Sequence, residues 1–193
     1  MKPFNIGLIL VLVTLLLPTI NCTPAEIKPG TIEVMAITNI VQGDTSRSEE
    51  IEISGIEAKV TEIKVFRGGI VLEDGTEQGE WINLYVTDNP LDLLQNPGQE
   101  QFLAFANVAA TSYDQINMVI EELDVTLSSG TNMHVTPNDP FNFVASFVVF
   151  SERTTTLIFK IDIDKSVIFT DENRTTIKPL AGITISVKYE DTD

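Results

Sequence analysis

Few residues in this chain could do chemistry. There is one Cys, one His and one Trp in 193 residues. A serine or cysteine triad would have to use His134, the only imidazole. Ser128 and Ser129 precede it closely, but no nucleophile elbow surrounds either, and sequence proximity is not triad geometry. One Cys cannot close an intramolecular disulfide, and one Cys with one His cannot build the usual zinc site. Carboxylates are plentiful. Asp162 and Asp164 share one face of an alternating stretch, and Asp171 and Glu172 follow in the next turn. Such a group could offer oxygens to Ca²⁺, which wants six to eight. The spacing lacks the central Gly and terminal Glu of an EF-hand loop. A solvated face beside Lys160 and Lys165 explains these acids equally well. Glu121-Glu122 with Asp124 is a weaker grouping of the same kind. No metal or cofactor is assigned from these patterns, and no Gly-rich phosphate loop is present. The expectation is a protein that is not an enzyme.

Cys22 is the most informative of these residues because of where it lies. Lys2 gives a short positive start, and Ile6 to Leu17 is almost entirely aliphatic. Twelve residues rise only ~18 Å as a helix, short of a ~30 Å hydrocarbon core. The stretch reads as the apolar region of a secretory leader ended by Pro18. Cys22 then stands where a bacterial lipoprotein carries its lipidated first residue. Thr19 and Asn21 depart from the usual Leu three places before the Cys and small residue just before it. A Thr-, Pro- and Gly-containing tether follows to Gly30. The expected organisation is a leader over residues 1–21, a lipidated Cys and tether over 22–30, one domain over 31–189, and an acidic tail over 190–193. The protein is then extracytoplasmic and held at the cell envelope or surface through Cys22. The tether needs more than one acyl chain for stable anchoring.

The charge narrows the partners. Acids outnumber bases by 28 to 12, a formal net charge of -16. A phosphate backbone repels such a chain, so nucleic acid is excluded as a partner of any basic surface. The hydrophobic share, 43%, is too high for a disordered acidic protein. The partners left are the membrane, through Cys22, and a protein or glycan ligand. The expected state is a monomer.

The elements that must position these residues are strands. Short alternating runs of Val, Ile, Thr and Phe are separated by Gly, Pro, Asn and Asp. Ile32, Val34 and Ala36 share a face of the first run. In Ile51 to Phe66, Ile56, Ala58 and Val60 take one parity while Ile63 and Val65 take the other. One regular strand cannot bury both sets, so a bulge or break is expected near Thr61-Glu62. Asp74-Gly75 marks a turn. Phe102, Phe105 and Ala106 fall at helical spacing, which predicts a short helix over Gln99 to Asn107. Tyr113 to Ile120 reads as a strand. Val125 to Leu127 and Met133 to Thr136 read as a hairpin about Ser128–Thr131. Phe141 to Phe150 reads as central in a sheet, and Trp81 as core. Leu157, Phe159 and Ile161 alternate with Ile158, Lys160 and Asp162, and Ile183, Ile185 and Val187 alternate in the last run. About eight to ten strands with little helix favour a single antiparallel β-sandwich over a closed barrel.

The order of short motifs resembles the domain-of-unknown-function 4382 family of exported prokaryotic proteins, many of them lipoproteins. The pieces are Gly30-Thr31-Ile32 with Val34; Trp81 with Leu84; Leu91-Asp92-Leu93-Leu94; Tyr113 with Gln115-Ile116; Ser129-Gly130; Thr154-Thr155-Thr156-Leu157 with Phe159; Asp162 with Asp164-Lys165-Ser166-Val167; and Lys178-Pro179. They span roughly Gly30 to Val187. Thr38-Asn39-Ile40 stands where members usually have Thr-Asp-Ala-Pro, and Thr111-Ser112 where a Gly usually precedes the Tyr. The resemblance implies an immunoglobulin-like or transthyretin-like sandwich outside the cytoplasm. It implies no reaction and no catalytic residues. A secreted adhesin or filament-type subunit, assembling by strand addition to an exposed edge, is the other class this architecture admits.

Overall fold

The computed structural model describes residues 27–39, 53–69, 73–75, 78–94, 97–137, 139–162, 168–171, 174–176 and 182–190. Every regular element among them is a strand: β1 (Gly30–Asn39), β2 (Ile53–Arg67), β3 (Glu80–Asn83), β4 (Tyr85–Val86), β5 (Leu91–Asp92), β6 (Glu100–Val108), β7 (Ser112–Leu127), β8 (Asn132–Val135), β9 (Phe141–Val148), β10 (Thr154–Asp162), β11 (Ile168–Asp171), β12 (Arg174–Thr176) and β13 (Ile183–Tyr189). Several are only two to four residues long, which is why they number more than the alternating runs in the sequence.

The strands form two large sheets. The first has the order β13-β10-β1-β6-β4. The second is built on two long strands, β2 and β7, paired along most of their length. Its flanks are β3 and β5 beside β2, and β8 and β9 beside β7. β11 and β12 make a separate two-stranded ribbon. The layers are those of a β-sandwich, as the alternation requires. Ile32, Val34, Ala36, Leu157 and Phe159 from the first sheet, and Ile56, Ala58, Ile63, Val65, Ile116 and Val125 from the second, are buried in one core. One pair departs from the antiparallel expectation: β1 and β10 run parallel, from Thr31 opposite Thr154 to Asn39 opposite Asp162. The pair is central in its sheet, and Leu157, Ile158, Phe159 and Ile161 of β10 are all buried, so β10 is less open to solvent than its charged residues suggest.

The expected bulge near Thr61 is present, and it has a partner. Lys59 lies opposite Glu122, Val60 opposite Ile120, and Glu62 opposite Val119. Thr61 is therefore an extra residue in β2 and Glu121 an extra residue in β7. The two insertions cancel, so the register resumes beyond them. Each switches the buried parity of its own strand: Ile56, Ala58 and Val60 give way to Ile63 and Val65 in β2. In β7, Ile116 and Met118 give way to Leu123 and Val125. This joins Tyr113–Ile120 and Val125–Leu127 into one strand.

The predicted helix over Gln99 to Asn107 is instead strand β6. Val34 pairs with Ala104 and Met35 with Phe102, which leaves Leu103 as the extra residue of another bulge. Leu103 and Ala104 are both buried, while Phe102 and Phe105 both emerge on the outer face. A bulge in a period of two thus produced the three-residue spacing of a helix turn. β9 is also corrected: it pairs only with β7 among the described strands, and Val144 is 90% exposed. The stretch is apolar because one of its faces covers the core, with Phe141 and Phe147 buried, and not because it is central.

At the crossing from β6 to β7 the Tyr113 hydroxyl donates to the Ala109 carbonyl, at 3.0 Å. Tyr113 is 1% exposed and its ring stacks on Phe147 at 5.4 Å. This is the arrangement of a tyrosine corner, in which a strand-start Tyr ties down the inter-sheet connection of an immunoglobulin-like sandwich. Burial holds its phenol above the ordinary value, with Arg67 lowering and Glu80 raising it to smaller extents.

Candidate functional site

The β7–β8 hairpin places the one imidazole beside two carboxylates. Its turn is tight: Gly130 donates its N–H to the Leu127 carbonyl, and Leu127 donates to that of Thr131. Gly130 has φ of 85°, a conformation glycine adopts without Cβ strain. The turn sets the register, in which Asp124 is directly opposite His134. Met133 and Val135 pack on the core, so Asn132 and His134 project from the outer face. On β7 the buried Leu123 and Val125 leave Glu122 and Asp124 on that same outer face. His134 Nδ1 contacts Asp124 Oδ1 and lies 3.3 Å from Glu122 Oε1. One ligand atom from each of the three residues falls within 4.8 Å of those of the other two.

The bulge at Glu121 shapes the surroundings. Glu121 takes Lys59 Nζ in an ion pair of 2.7 Å. This bond and the charges of Glu121 and Glu122 raise the Lys59 ammonium above its ordinary value. On the other side of Asp124, Glu57 is its direct cross-strand neighbour on β2. The arrangement can hold a cation through one nitrogen and two carboxylate donors. It does not pair the imidazole with Ser129. Ser129 donates its hydroxyl to Thr131 Oγ1 at 3.1 Å, and the imidazole is engaged by acids.

The other residues singled out in the sequence are distributed differently. Asp162 ends β10 opposite Asn39, and its N–H donates to the Gly182 carbonyl at 3.1 Å. Asp171 lies on β11, opposite Arg174. Asp164, Glu172 and Cys22 lie outside the described residues. The grouping of Asp162, Asp164, Asp171 and Glu172 therefore falls partly outside the described residues. Trp81, expected in the core, is 43% exposed on β3. It sits at the flank of its sheet, with its ring 5.1 Å from that of Phe66 on the neighbouring strand. An alternating strand has two faces, and this Trp takes the outer one. The Asp124–His134 meeting was not among the sequence expectations. The signal was available: the two lie equally far on either side of Ser129, the centre of the turn.

An aromatic strip marks the outer face of the first sheet. Tyr85 and Phe105 have ring centroids 5.7 Å apart, and Phe105 and Phe102 6.2 Å. All three are exposed, Tyr85 by 72%. Beside β3, an open groove of about 730 Å³ is lined by Arg67, Gly68, Gly69, Gln78, Gly79, Glu80 and Thr111.

Two sheets over one core and no helix among the described residues define an all-β sandwich. The model of the family described as "Domain of unknown function (DUF4382)" matches residues 27–179, and the chain belongs to that family. No curated protein and no solved structure matches it.

Proposed function

We propose that this is an exported protein held at the cell envelope by lipid on Cys22, and that its sandwich is a non-enzymatic binding or structural module. The reading is carried by one juxtaposition. A short apolar leader and a lone Cys directly precede a domain whose first strand opens at Gly30. The eight residue steps from Cys22 to Gly30 reach at most about 29 Å when extended. Such a tether would display the domain close to a membrane surface while leaving it free to turn. The domain needs no disulfide, since its core draws large buried side chains from both sheets. Exposed aromatics on one outer face and clustered carboxylates on the other supply surfaces for ligands of different chemistry.

Metabolic labelling with a fatty acid tests the anchor. The expected result is labelled wild-type protein and unlabelled Cys22→Ser. An unlabelled wild type would sink the lipoprotein reading. A second reading, a secreted adhesin or filament-type subunit, is favoured by the free sides of β9 and β13, each paired with a single strand among those described. It predicts a particle size that grows with protein concentration, where the anchored module stays monomeric.

A further inference from the structure

We propose that Glu122, Asp124 and His134 bind a divalent first-row transition ion, for which Zn²⁺ is the suitable probe. The inference is independent of the lipid anchor. It starts from the donor set. The three side chains come from two strands locked in register by a tight turn, so their backbone positions are fixed before any ion arrives. A tetrahedral ion ~2.1 Å from each donor holds those donors roughly 3.4 Å apart. The three donor atoms lie within 4.8 Å of one another, on the scale of that spacing. The remaining position faces solvent, since His134 is 66% exposed at its side chain, and water completes the coordination.

The charge balance calls for a cation. Two carboxylates converge on one imidazole, so an excess of negative charge remains whichever state the imidazole takes. Lys59, which lies across from Glu122, is engaged by Glu121. Glu57 adds a further carboxylate across from Asp124. A doubly charged ion neutralises the group where the imidazole alone does not. The nitrogen donor decides which ion. Ca²⁺ requires six to eight oxygens, more than this face supplies, whereas imidazole with carboxylates suits Zn²⁺ and its neighbours in the series.

The chain holds a single His, so its imidazole resonances are assigned without ambiguity. The experiment is a titration of the untagged, metal-free full chain with Zn²⁺, followed by NMR of that imidazole and by calorimetry. The expected result is a saturable shift complete at one ion per chain. Affinity should fall about tenfold or more in Asp124→Asn and in Glu122→Gln, with Asp88→Asn, an exposed acid elsewhere, unchanged. Ca²⁺ at the same concentration should leave the imidazole unmoved. An imidazole that does not respond to Zn²⁺ would overturn the proposal. So would wild-type affinity in both cluster variants, an equal loss in Asp88→Asn, or an equal response to Ca²⁺.

Discussion

The aromatic strip on one outer face and the carboxylate–imidazole cluster on the other differ in chemistry, yet the same backbone device shapes both. On the first sheet, the extra residue Leu103 brings Phe102 and Phe105 to one side, where Tyr85 extends them into an exposed strip. On the second, the extra residue Glu121 lies beside Glu122 and shifts the parity of β7. As a result Asp124 emerges opposite His134. A regular strand would have sent one of Phe102 and Phe105, and one of Glu121 and Glu122, inward. The bulges therefore let strands that bury a continuous core also set particular side chains on the surface. One face offers rings for apolar or stacking contact, and the other offers oxygen and nitrogen donors.

The contrast can be broken at several levels. The largest effect is expected at the core beneath both faces. Phe159 is fully buried and meets Phe143 edge-on at 5.3 Å. Phe159→Ala should cost about 3–5 kcal/mol in denaturant unfolding and disturb both faces together. A local change should separate them. Gly130→Ala puts a Cβ at a positive φ in the β7–β8 turn, at a cost of about 1–2 kcal/mol. It should weaken Zn²⁺ binding while leaving the fluorescence of the aromatic strip unaltered.

Tyr113→Phe removes the bond to Ala109, an expected loss of about 1 kcal/mol. It also tests a pH dependence. The folded state holds the Tyr113 phenol protonated above its ordinary value of 10.0. Above that pH the unfolded chain releases a proton that the folded chain retains, so stability falls as pH rises toward the folded value. Tyr113→Phe should flatten that alkaline decline in unfolding midpoints. The smallest effect is expected for Lys59→Gln. The pair with Glu121 is solvent-exposed, so the melting temperature should not move measurably. Loss of a positive charge beside Glu122 should nonetheless tighten Zn²⁺ binding, which would set the electrostatics of this face apart from its stability.

Much of the architecture was legible locally. Alternation marked β1, β10 and β13, and the turn at Ser128–Thr131 marked the β7–β8 hairpin. The parity change at Thr61 betrayed a bulge, because parity is a property of a single strand. The same change in β7, between Ile120 and Leu123, looks in sequence like a gap between two strands. Phe102 and Phe105 mimicked a helix for a related reason, since one inserted residue converts a spacing of two into three. What alternation cannot report is which of a strand's faces is inward, or whether a strand is central. Trp81 on an outer face and β9 beside a single partner among the described strands are both set by distant pairings. The metal-ligating trio lies between these cases. Its pairing follows from a local turn, but its third member depends on the bulge across from Lys59.

Anchorage at Cys22 would leave both faces on a domain free to turn above the membrane. The most direct measurement of that claim is the mass of the N-terminal peptide of the protein extracted from its native membrane fraction. The account predicts a chain that begins at Cys22 and carries the added mass of acyl groups on that residue. A chain beginning elsewhere, or with Cys22 unmodified, would contradict it.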